Sequence, residues 1–401
     1  MNNAYIIDGI RTPIGNFGGT LSTFRGDDLA AHALTELVKR NPQIPVEEVT
    51  DVILGCVNQA GDDNRNVARM ALLLAGLPYS IPGETVNRLC ASGMSAIIHA
   101  TRAIKAGDGD IFIAGGIEHM TRGPWVISKT SKPFGSDAQM FDSSFGWRFI
   151  NPKMEEMYGT EAMGKTAENL VAIYNISRED QDLFAYNSQM KATKAQAEGR
   201  FSEEITPLSI SLKKGEITVF DKDEFIKSNS TIEKLATLKA AFKKDGSVTA
   251  GNASGLNDGA AALYMASEEA VKRYGLTPKV RIVASAVVGV EPRIMGIGPV
   301  PATQLALKKA GLTLADMDVI ELNEAFAAQS LACIRQLGLE DNDPRINPNG
   351  GAIALGHPLG MSGARITYSA ALELQRQNKR YALATMCIGV GQGYAVIIER
   401  V

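Results

Sequence analysis

The chain has 401 residues, of which 45% are hydrophobic and 21% charged, and its formal net charge is −3. This length predicts two or three domains, and the apolar content is sufficient for large buried cores. A chain without a basic excess has no electrostatic reason to bind nucleic acid or an anionic membrane, so we expect neither as a partner.

The first residues run into a strand-like segment and lack the basic and apolar regions of a signal peptide. No apolar stretch approaches the roughly 18 residues that cross a bilayer. The four cysteines are scattered and form no CxxC pair, which argues against a disulfide framework or a zinc ribbon. We therefore expect a reducing, cytoplasmic location.

A repeat runs through the chain with an offset of 267 residues. The letters DVI stand at 51–53 and again at 318–320, and GMS stands at 93–95 and again at 360–362 (318 − 51 = 267 and 360 − 93 = 267). Two short matches at one offset indicate an internal duplication.

The surroundings of the two copies agree. A helix is predicted before each DVI, over 27–39 and 302–309, and an apolar strand after each GMS helix, over 111–116 and 382–391. Helical patterns that alternate with short runs of Val and Ile are typical of βαβ units and a parallel sheet. The sequence therefore predicts an α/β fold with two similar halves.

Residues 123–250 separate the halves and differ from them in composition, being rich in Pro, Lys, Ser and Glu. One clear helix is predicted there, from Arg178 to Gly199, with Ser177 as its N-cap. A long segment of weak core pattern between two repeats is typically a binding loop or a lid, and a solvated surface excursion is the alternative.

Cys90 stands just before Ser92, Gly93 and the first GMS helix. A helix N-terminus stabilises a thiolate, so we expect a lowered pKa for this cysteine. A lone cysteine is otherwise more often an inert buried residue.

His357 is the counterpart of Cys90 in the second copy (357 − 90 = 267). One helix start with a cysteine and one with a histidine would form a nucleophile–base pair if the halves face each other. A single histidine is usually structural, and the repeat relation favours the catalytic interpretation here.

Two further polar positions stand at predicted strand ends. Cys387 is followed by Gly389, Gly391 and Gly393, whose free N–H groups could form an oxyanion hole. Asn323 lies at a strand-to-helix junction, where it either orients a water or a carbonyl or caps the helix.

Four stretches together resemble the thiolase family: VNRLCASGMSAIIHA at 86–100, ELNEAFAAQ at 321–329, NPNGGAIALGHPLGMSGAR at 347–365 and MCIGVGQGYAV at 386–396. The resemblance runs from residue 7 to the C-terminus, and four motifs in one order are far more specific than any single one. It implies a thiolase fold and an enzyme that cleaves or forms a 3-oxoacyl-CoA.

The resemblance also implies the roles of the site residues. Cys90 would be the acylated nucleophile, His357 would take its proton, and Cys387 would be the acid/base at the α-carbon of acetyl-CoA. Asn323 with His357 would form one oxyanion hole, and the N–H groups of Cys90 and Gly389 the other. Coenzyme A would be a co-substrate, with no metal and no permanently bound cofactor.

Residues 249–262 resemble the family segment that returns the chain to the first half. Ser254 is then expected at the pantetheine arm of coenzyme A, Lys227 at its nucleotide phosphate, and Met163 also in its binding site. A homodimer or homotetramer is implied. The expected division is 1–122 with 251–275 as the N-terminal half, 123–250 as an inserted coenzyme A-binding loop domain, and 276–401 as the C-terminal half.

The segments at 145–154 and 64–78 resemble thiolases that act on 3-oxoadipyl-CoA, which implies cleavage to succinyl-CoA and acetyl-CoA. That substrate ends in a carboxylate, which needs a compensating cation or donor in a partly closed pocket. Arg148, between Trp147 and Phe149, could bind it through two parallel hydrogen bonds, or could hold its loop through a surface ion pair.

Other interpretations stay open. The chain could be a general 3-ketoacyl-CoA thiolase of β-oxidation or an acetoacetyl-CoA thiolase, although Ala162 stands where some relatives carry a histidine over the acyl group. Decarboxylating condensing enzymes typically have a second histidine where this chain has Cys387. A catalytically silent coenzyme A- or lipid-binding relative would have lost a reactive residue. A metal site of Cys90, His357 and Cys387 would silence the nucleophile.

Overall fold

A computed structural model describes residues 3–211 and 215–401. The strands are β1 Ala4–Arg11, β2 Gly15–Asn16, β3 Asp51–Gly55, β4 Gly83–Val86, β5 Ile111–His119, β6 Trp125–Ile127, β7 Met140–Asp142, β8 Leu208–Ser211, β9 Ile217–Phe220, β10 Asn257–Ser267, β11 Val280–Gly289, β12 Val319–Leu322, β13 Tyr381–Ile388 and β14 Gln392–Arg400. The α-helices are α1 Gly26–Arg40, α2 Val67–Leu74, α3 Ser92–Ala106, α4 Pro152–Tyr158, α5 Met163–Tyr174, α6 Arg178–Ala197, α7 Ile232–Ala236, α8 Glu268–Tyr274, α9 Pro299–Ala310, α10 Ala327–Gln336, α11 Ala352–Leu355 and α12 Leu359–Gln377.

The main sheet has the strand order β12-β13-β14-β11-β1-β10-β5-β3-β4, in which two similar sets of strands meet where β1 pairs with β11. The two DVI segments lie in β3 and β12, and each of these strands pairs in parallel with the strand that follows its GMS helix, β5 or β13. The expected parallel sheet is wrong in part, because the sheet is mixed. β10 and β14 run antiparallel to their neighbours, and β14 does so because a tight turn joins it to β13.

Side chains alternate between two faces along the strands of each half, as the two-residue period of a strand requires. In β5, Phe112 and Ala114 belong to the core that contains α3 and α12, whereas Ile111 and Ile113 belong to the core beneath α1 and α2. A third core lies between the C-terminal strands and α9 and α10. The helices α3 and α12 therefore form a buried central layer, with one half of the main sheet and an outer helix layer on each side.

The contact between α3 and α12 depends on glycine. A Cβ on Gly93 would lie 2.6 Å from the carbonyl oxygen of Gly360, and a Cβ on Gly363 would lie 2.5 Å from the backbone nitrogen of Met94. Gly93 and Gly360 are the first residues of the two GMS copies. The duplication therefore brings its own counterpart residues into contact, and both helices begin near one point.

The segment between the halves contains α4 to α7 and two small hairpins, β6–β7 and β8–β9. Helix α6 begins as predicted, since the Ser177 side chain accepts from the Asp180 backbone N–H, and it ends at Ala197 with Gly199 in the left-handed region at φ 73°. β10 lies between β1 and β5. The three-part division of the chain stays our proposal. In the part of the chain that the structure describes, no helix combines the length and apolar character needed to cross a bilayer.

Candidate active site

Cys90 lies in a tight turn between β4 and α3. Leu89 has a φ of 46°, a left-handed conformation that is rare for a residue with a branched apolar side chain. The Ala91 N–H donates to the Arg88 carbonyl at 3.1 Å, and the Ser92 hydroxyl donates to the Leu89 carbonyl at 2.6 Å. This constrained turn holds Cys90 two residues before the first residue of α3 and leaves it partly exposed.

His357 has the equivalent place in the other half, two residues before Leu359 begins α12. Its Nδ1 lies 2.6 Å from the Ser362 hydroxyl, which donates its only proton to the Pro358 carbonyl at 2.8 Å. Ser362 therefore accepts from Nδ1–H, and the lone pair of the neutral ring is on Nε2. The Asn323 amide Nδ2 lies 3.3 Å from that Nε2.

Asn323 directly follows β12 and is fully buried. Its backbone N–H donates to the Thr385 carbonyl at 3.0 Å, which fixes the residue beside β13. The N-cap of α10 is Phe326, so the Asn323 side chain is not the cap of that helix. It contacts His357 instead.

Cys387 and Gly389 occupy the end of β13 and the turn that follows. The Cys387 side chain is buried among apolar residues that include Phe326 and Met163. A Cβ on Gly389 would lie 3.3 Å from Cδ1 of Leu89 and 3.9 Å from Sδ of Met163, so this turn packs against the turn that carries the nucleophile candidate. The predicted residues from both halves thus converge on one site.

Burial controls the charges in this site. It raises the pKa of the Cys90 thiol to about 11, and the N–H groups of Gly389 and of Cys90 itself offset that rise only in part. Burial, and then the positive charge of Arg365, lower the pKa of His357 to about 3. Burial, and then the neighbouring Cys90, raise the pKa of Cys387 well above its usual value.

The expected low pKa of Cys90 is therefore wrong, because desolvation of the thiol outweighs the N–H groups of Gly389 and Cys90 that favour the thiolate. At neutral pH the resting site contains two neutral thiols and a neutral imidazole. A proton must leave Cys90 as the sulfur attacks a substrate, and the lone pair on His357 Nε2 is suited to accept it.

The three residues expected to bind coenzyme A lie at different distances from this centre. Met163, the first residue of α5, lies beside Gly389. The Ser254 N–H donates to the carbonyl of Ala325, two residues after Asn323. Lys227 is exposed on a neighbouring surface.

The Lys227 ammonium lies 4.9 Å above the ring of Phe225. That ring in turn packs against Gly255, where a Cβ would lie 2.6 Å from its Cζ. Lys227 is therefore connected through Phe225 to the segment that carries Ser254.

Arg148 is partly exposed, and its guanidinium contacts only neutral oxygens. Nη1 donates to the Ser143 carbonyl at 3.4 Å, and Nη2 donates to Asn58 Oδ1 at 3.3 Å. Among the described residues, no carboxylate lies within 4.0 Å of this guanidinium, so the alternative of a surface ion pair is not observed. Within residues 3–211 and 215–401, the Arg148 guanidinium is therefore oriented by neutral acceptors, and no carboxylate compensates its charge.

Sequence reasoning missed Ser362 and Glu118. The serine could have been found, since it is the last residue of the second GMS copy and lies five residues after His357. Glu118 is buried and accepts the backbone N–H groups of Val57, Asn58 and Gly360 at 2.9–3.0 Å. No sequence signal identifies that set of partners, because it joins three distant segments.

One group within the described part of the chain has the spacing of metal ligands, namely Cys56, Asp63 and Glu118. Asp63 already accepts from Cys56 Sγ and from two backbone N–H groups, and Glu118 accepts from three, so hydrogen bonds within the protein account for the cluster. The group does not include Cys90, His357 or Cys387.

His119 directly follows Glu118 and is the last residue of β5. Its Nε2 lies 3.0 Å from the Leu21 carbonyl, and its Nδ1 lies 3.3 Å from the Asp258 carboxylate. The residue is buried, and these contacts account for it as a packing feature of β5 and β10.

Comparison with known proteins gives consistent matches over the whole chain. Models of the N-terminal and C-terminal thiolase domains match residues 4–269 and 276–400. The 3-oxoadipyl-CoA/3-oxo-5,6-dehydrosuberyl-CoA thiolase of Escherichia coli K12 is 60% identical over 100% of both chains, and a beta-ketoadipyl-CoA thiolase of Acinetobacter baylyi is 57% identical over 100% of both. The structure of human mitochondrial 3-ketoacyl-CoA thiolase in complex with CoA has a TM-score of 0.92 and 42% identity, covering 100% of this chain and 98% of that one.

Proposed function

Because the chain belongs to the thiolase family and is an acyltransferase, we propose that it cleaves 3-oxoadipyl-CoA with coenzyme A to give succinyl-CoA and acetyl-CoA. The observation that carries this proposal is that the turn after Cys387 packs against the turn that carries Cys90, while Asn323 contacts His357 just before α12. Full-length relatives at 57–60% identity that are named for this substrate support the choice of acyl chain.

In the first half-reaction, the Cys90 sulfur attacks the C3 carbonyl of the substrate while His357 Nε2 takes the thiol proton. The C2–C3 bond then breaks, and its electron pair forms the enolate of acetyl-CoA. The Cys387 thiol protonates that enolate at carbon, and the succinyl group stays on Cys90 as a thioester.

In the second half-reaction, the thiol of coenzyme A loses its proton to Cys387 and attacks the Cys90 thioester. Succinyl-CoA leaves, and the Cys90 sulfur recovers the proton that His357 holds. Cys90 carries the acyl group while the enolate is protonated, so a second thiol is needed for that proton transfer.

Developing negative charge on oxygen requires fixed donors. The N–H groups of Gly389 and Cys90, which favour negative charge on the Cys90 sulfur, are suited to the oxyanion of the acylated carbonyl. The Asn323 amide and protonated His357 Nε2 are suited to the enolate oxygen of acetyl-CoA. The low pKa of His357 favours return of its proton to Cys90 at the end of the second half-reaction.

Coenzyme A is the co-substrate in this proposal. Ser254 and Met163 would contact its pantetheine arm and thioester end, and the exposed Lys227 ammonium would contact a phosphate of its nucleotide. Residues 123–250 would form most of this binding region. A homodimer or homotetramer and a cytoplasmic location also stay proposals.

Arg148 would bind the terminal carboxylate of the succinyl group. The support is that its guanidinium has no carboxylate partner among the described residues and lies against the loop that borders Cys90. A charge-assisted pair of this kind contributes about 1.5–3 kcal/mol.

The test is a comparison of 3-oxoadipyl-CoA with 3-oxohexanoyl-CoA, its uncharged counterpart of equal chain length, in wild type and in Arg148→Met. We expect the variant to lose about ten- to a hundred-fold in the ratio of kcat/KM for the two substrates. Arg293→Met is the matched control, since its guanidinium is already paired with Glu161, and the ratio should not change. Equal losses on both substrates in Arg148→Met would make that arginine a structural residue.

A general 3-ketoacyl-CoA thiolase is the second candidate, favoured by the full-length match to the human mitochondrial 3-ketoacyl-CoA thiolase. The substrate preference of the wild-type enzyme decides between these two candidate functions. Preference for acetoacetyl-CoA or 3-oxohexanoyl-CoA over 3-oxoadipyl-CoA would reject the proposed substrate while leaving the thiolase chemistry in place.

A further inference from the structure

We propose that Asn58 is a specificity-determining residue, because it orients the Arg148 guanidinium toward a substrate carboxylate and leaves its charge available. This inference rests on the proposed function and names a second residue that sets its preference for an acyl chain with a terminal carboxylate.

The orientation of the Asn58 amide follows from its neighbours. The Ser143 hydroxyl donates its proton to the Pro124 carbonyl at 2.6 Å, so its oxygen can only accept from other groups. The Asn58 atom 3.3 Å from that hydroxyl is therefore the donor Nδ2. Oδ1 must then face Arg148, where Nη2 donates to it at 3.3 Å.

The position of Asn58 is fixed through its backbone. The N–H groups of Val57 and Asn58 each donate to the buried Glu118 carboxylate at 3.0 Å. The same carboxylate accepts the Gly360 N–H in the first turn of α12, three residues after His357. Glu118 therefore ties the Asn58 loop to the helix whose start carries the proposed base.

The same loop borders the proposed nucleophile. The Asn87 side chain donates to the Val57 carbonyl at 3.1 Å and accepts from the Leu89 N–H at 2.9 Å. Leu89 directly precedes Cys90. A succinyl group on Cys90 would extend its carboxylate by about 4–5 Å beyond the sulfur-bound carbon, a reach of three carbon–carbon bonds at about 1.5 Å each.

The chemical identity of the acceptors matters. A guanidinium has five N–H donors, and Asn58 Oδ1 and the Ser143 carbonyl each take one from Arg148. Both acceptors are neutral, so they orient the cation without compensating its charge. A carboxylate at position 58 would be almost the same size and would neutralise the arginine in place of the substrate.

The experiment is Asn58→Asp, assayed with 3-oxoadipyl-CoA and 3-oxohexanoyl-CoA alongside Arg148→Met and the double variant. We expect the ratio of kcat/KM for the charged over the uncharged substrate to fall about tenfold or more in Asn58→Asp. The loss should appear chiefly in KM for 3-oxoadipyl-CoA. In the Arg148→Met background, Asn58→Asp should change the ratio by less than about twofold, because the two residues act as one unit.

Asn64→Asp is the matched control, since it places the same charge on an exposed position of the same loop. It should leave the ratio within about twofold of wild type, as expected for a screened surface charge. A ratio that falls in Arg148→Met and not in Asn58→Asp would reject the role of Asn58 and spare the proposed substrate. Equal additional loss on both substrates in every background would make Asn58 purely structural and reject it too. Asn58→Ser, which keeps a neutral oxygen at a smaller size, should retain more of the ratio than Asn58→Asp, and the reverse order would also contradict the proposal.

Discussion

The starts of α3 and α12 are two versions of one structure with different chemistry. Cys90 and His357 each lie two residues before their helix, and the glycines that open the two GMS copies touch where the helices cross. Cys90 is partly exposed in a constrained turn, whereas His357 is buried with both ring nitrogens engaged. One backbone arrangement thus provides a nucleophile in one half and a base in the other.

Counterpart side chains around the two starts differ in the same way. Ser362 contacts the His357 ring, whereas its counterpart Ser95 (362 − 267 = 95) accepts from the Arg88 guanidinium. Asn323 contacts the other side of the ring, whereas its counterpart Cys56 (323 − 267 = 56) points to Asp63 in a loop. The duplicated backbone positions the site. Differences between counterpart side chains then give one helix start the environment of a nucleophile and the other the environment of a base.

Replacing the residue at the first helix start should have the largest effect. Cys90→Ala removes the only proposed nucleophile, and we expect thiolysis to fall on the order of 10⁴-fold or more. Intact-mass measurement after incubation with an acyl-CoA should show no covalent acyl group. Cys333→Ala, which removes a buried thiol bonded to the Gly296 carbonyl, is the control and should keep the label. An acyl group found on Cys387, Cys56 or Cys333 would overturn the assignment.

Cys387 is not part of either helix start, so its removal should separate acylation of Cys90 from proton transfer at the α-carbon. In Cys387→Ala we expect acylation of Cys90 by an acyl-CoA to persist, while condensation of two acetyl-CoA units falls by about 10²–10⁴-fold through loss of the proton-transfer group. Stopped-flow acylation and steady-state condensation measure the two steps. Condensation at the wild-type rate would mean that another group handles the α-carbon proton.

Ser362 and Ser95, the serines of the two GMS copies, allow a matched test of whether the two helix starts have different roles. Ser362→Ala removes the acceptor that keeps the Nδ1–H form of His357, so we expect kcat to fall about ten- to a hundred-fold, part of the 10²–10⁴-fold that a general base contributes. Ser95→Ala has the same change at the counterpart position and should reduce kcat much less, because Ser95 bonds Arg88. Similar losses in both variants would indicate a shared packing role and no tautomer control.

The pH dependence of Cys90 alkylation tests the balance between burial and the helix dipole. Because burial raises the pKa of this thiol to about 11, the neutral thiol predominates below that value and the reactive thiolate increases as pH rises. The rate of iodoacetamide labelling should therefore increase about tenfold per pH unit from pH 6 to 9 without levelling off. A plateau near neutral pH would show instead that the helix start keeps Cys90 ionised.

The repeat is the part of this fold that the sequence predicts best. The offset of 267 residues identifies β3 and β12, α3 and α12, and the paired positions of Cys90 and His357 without any coordinates. The N-cap at Ser177 was also readable, because capping depends on a local side chain and the next turn of backbone. The mixed strand directions of the sheet could not be predicted in this way, because β10, which lies between β1 and β5, comes after the inserted segment in the chain.

The environment of each site residue could be predicted only in part. The raised pKa of Cys90 could not be predicted from the sequence, because desolvation depends on how closely the turn after β13 packs against the turn that carries Cys90. Nor did it link Arg148 to Asn58, or Asn58 to Glu118, as these contacts join segments 60–90 positions apart.

The sequence by itself determined which residue types stand at each helix start and that the two starts are related, because a duplication preserves spacing and local structure follows from neighbours along the chain. The tertiary structure alone decided what those residues face. The charge state of Cys90, the tautomer of His357 and the neutral partners of Arg148 arise from burial and from contacts between distant segments. These depend on distances in space, which the spacing of residues along the chain does not contain.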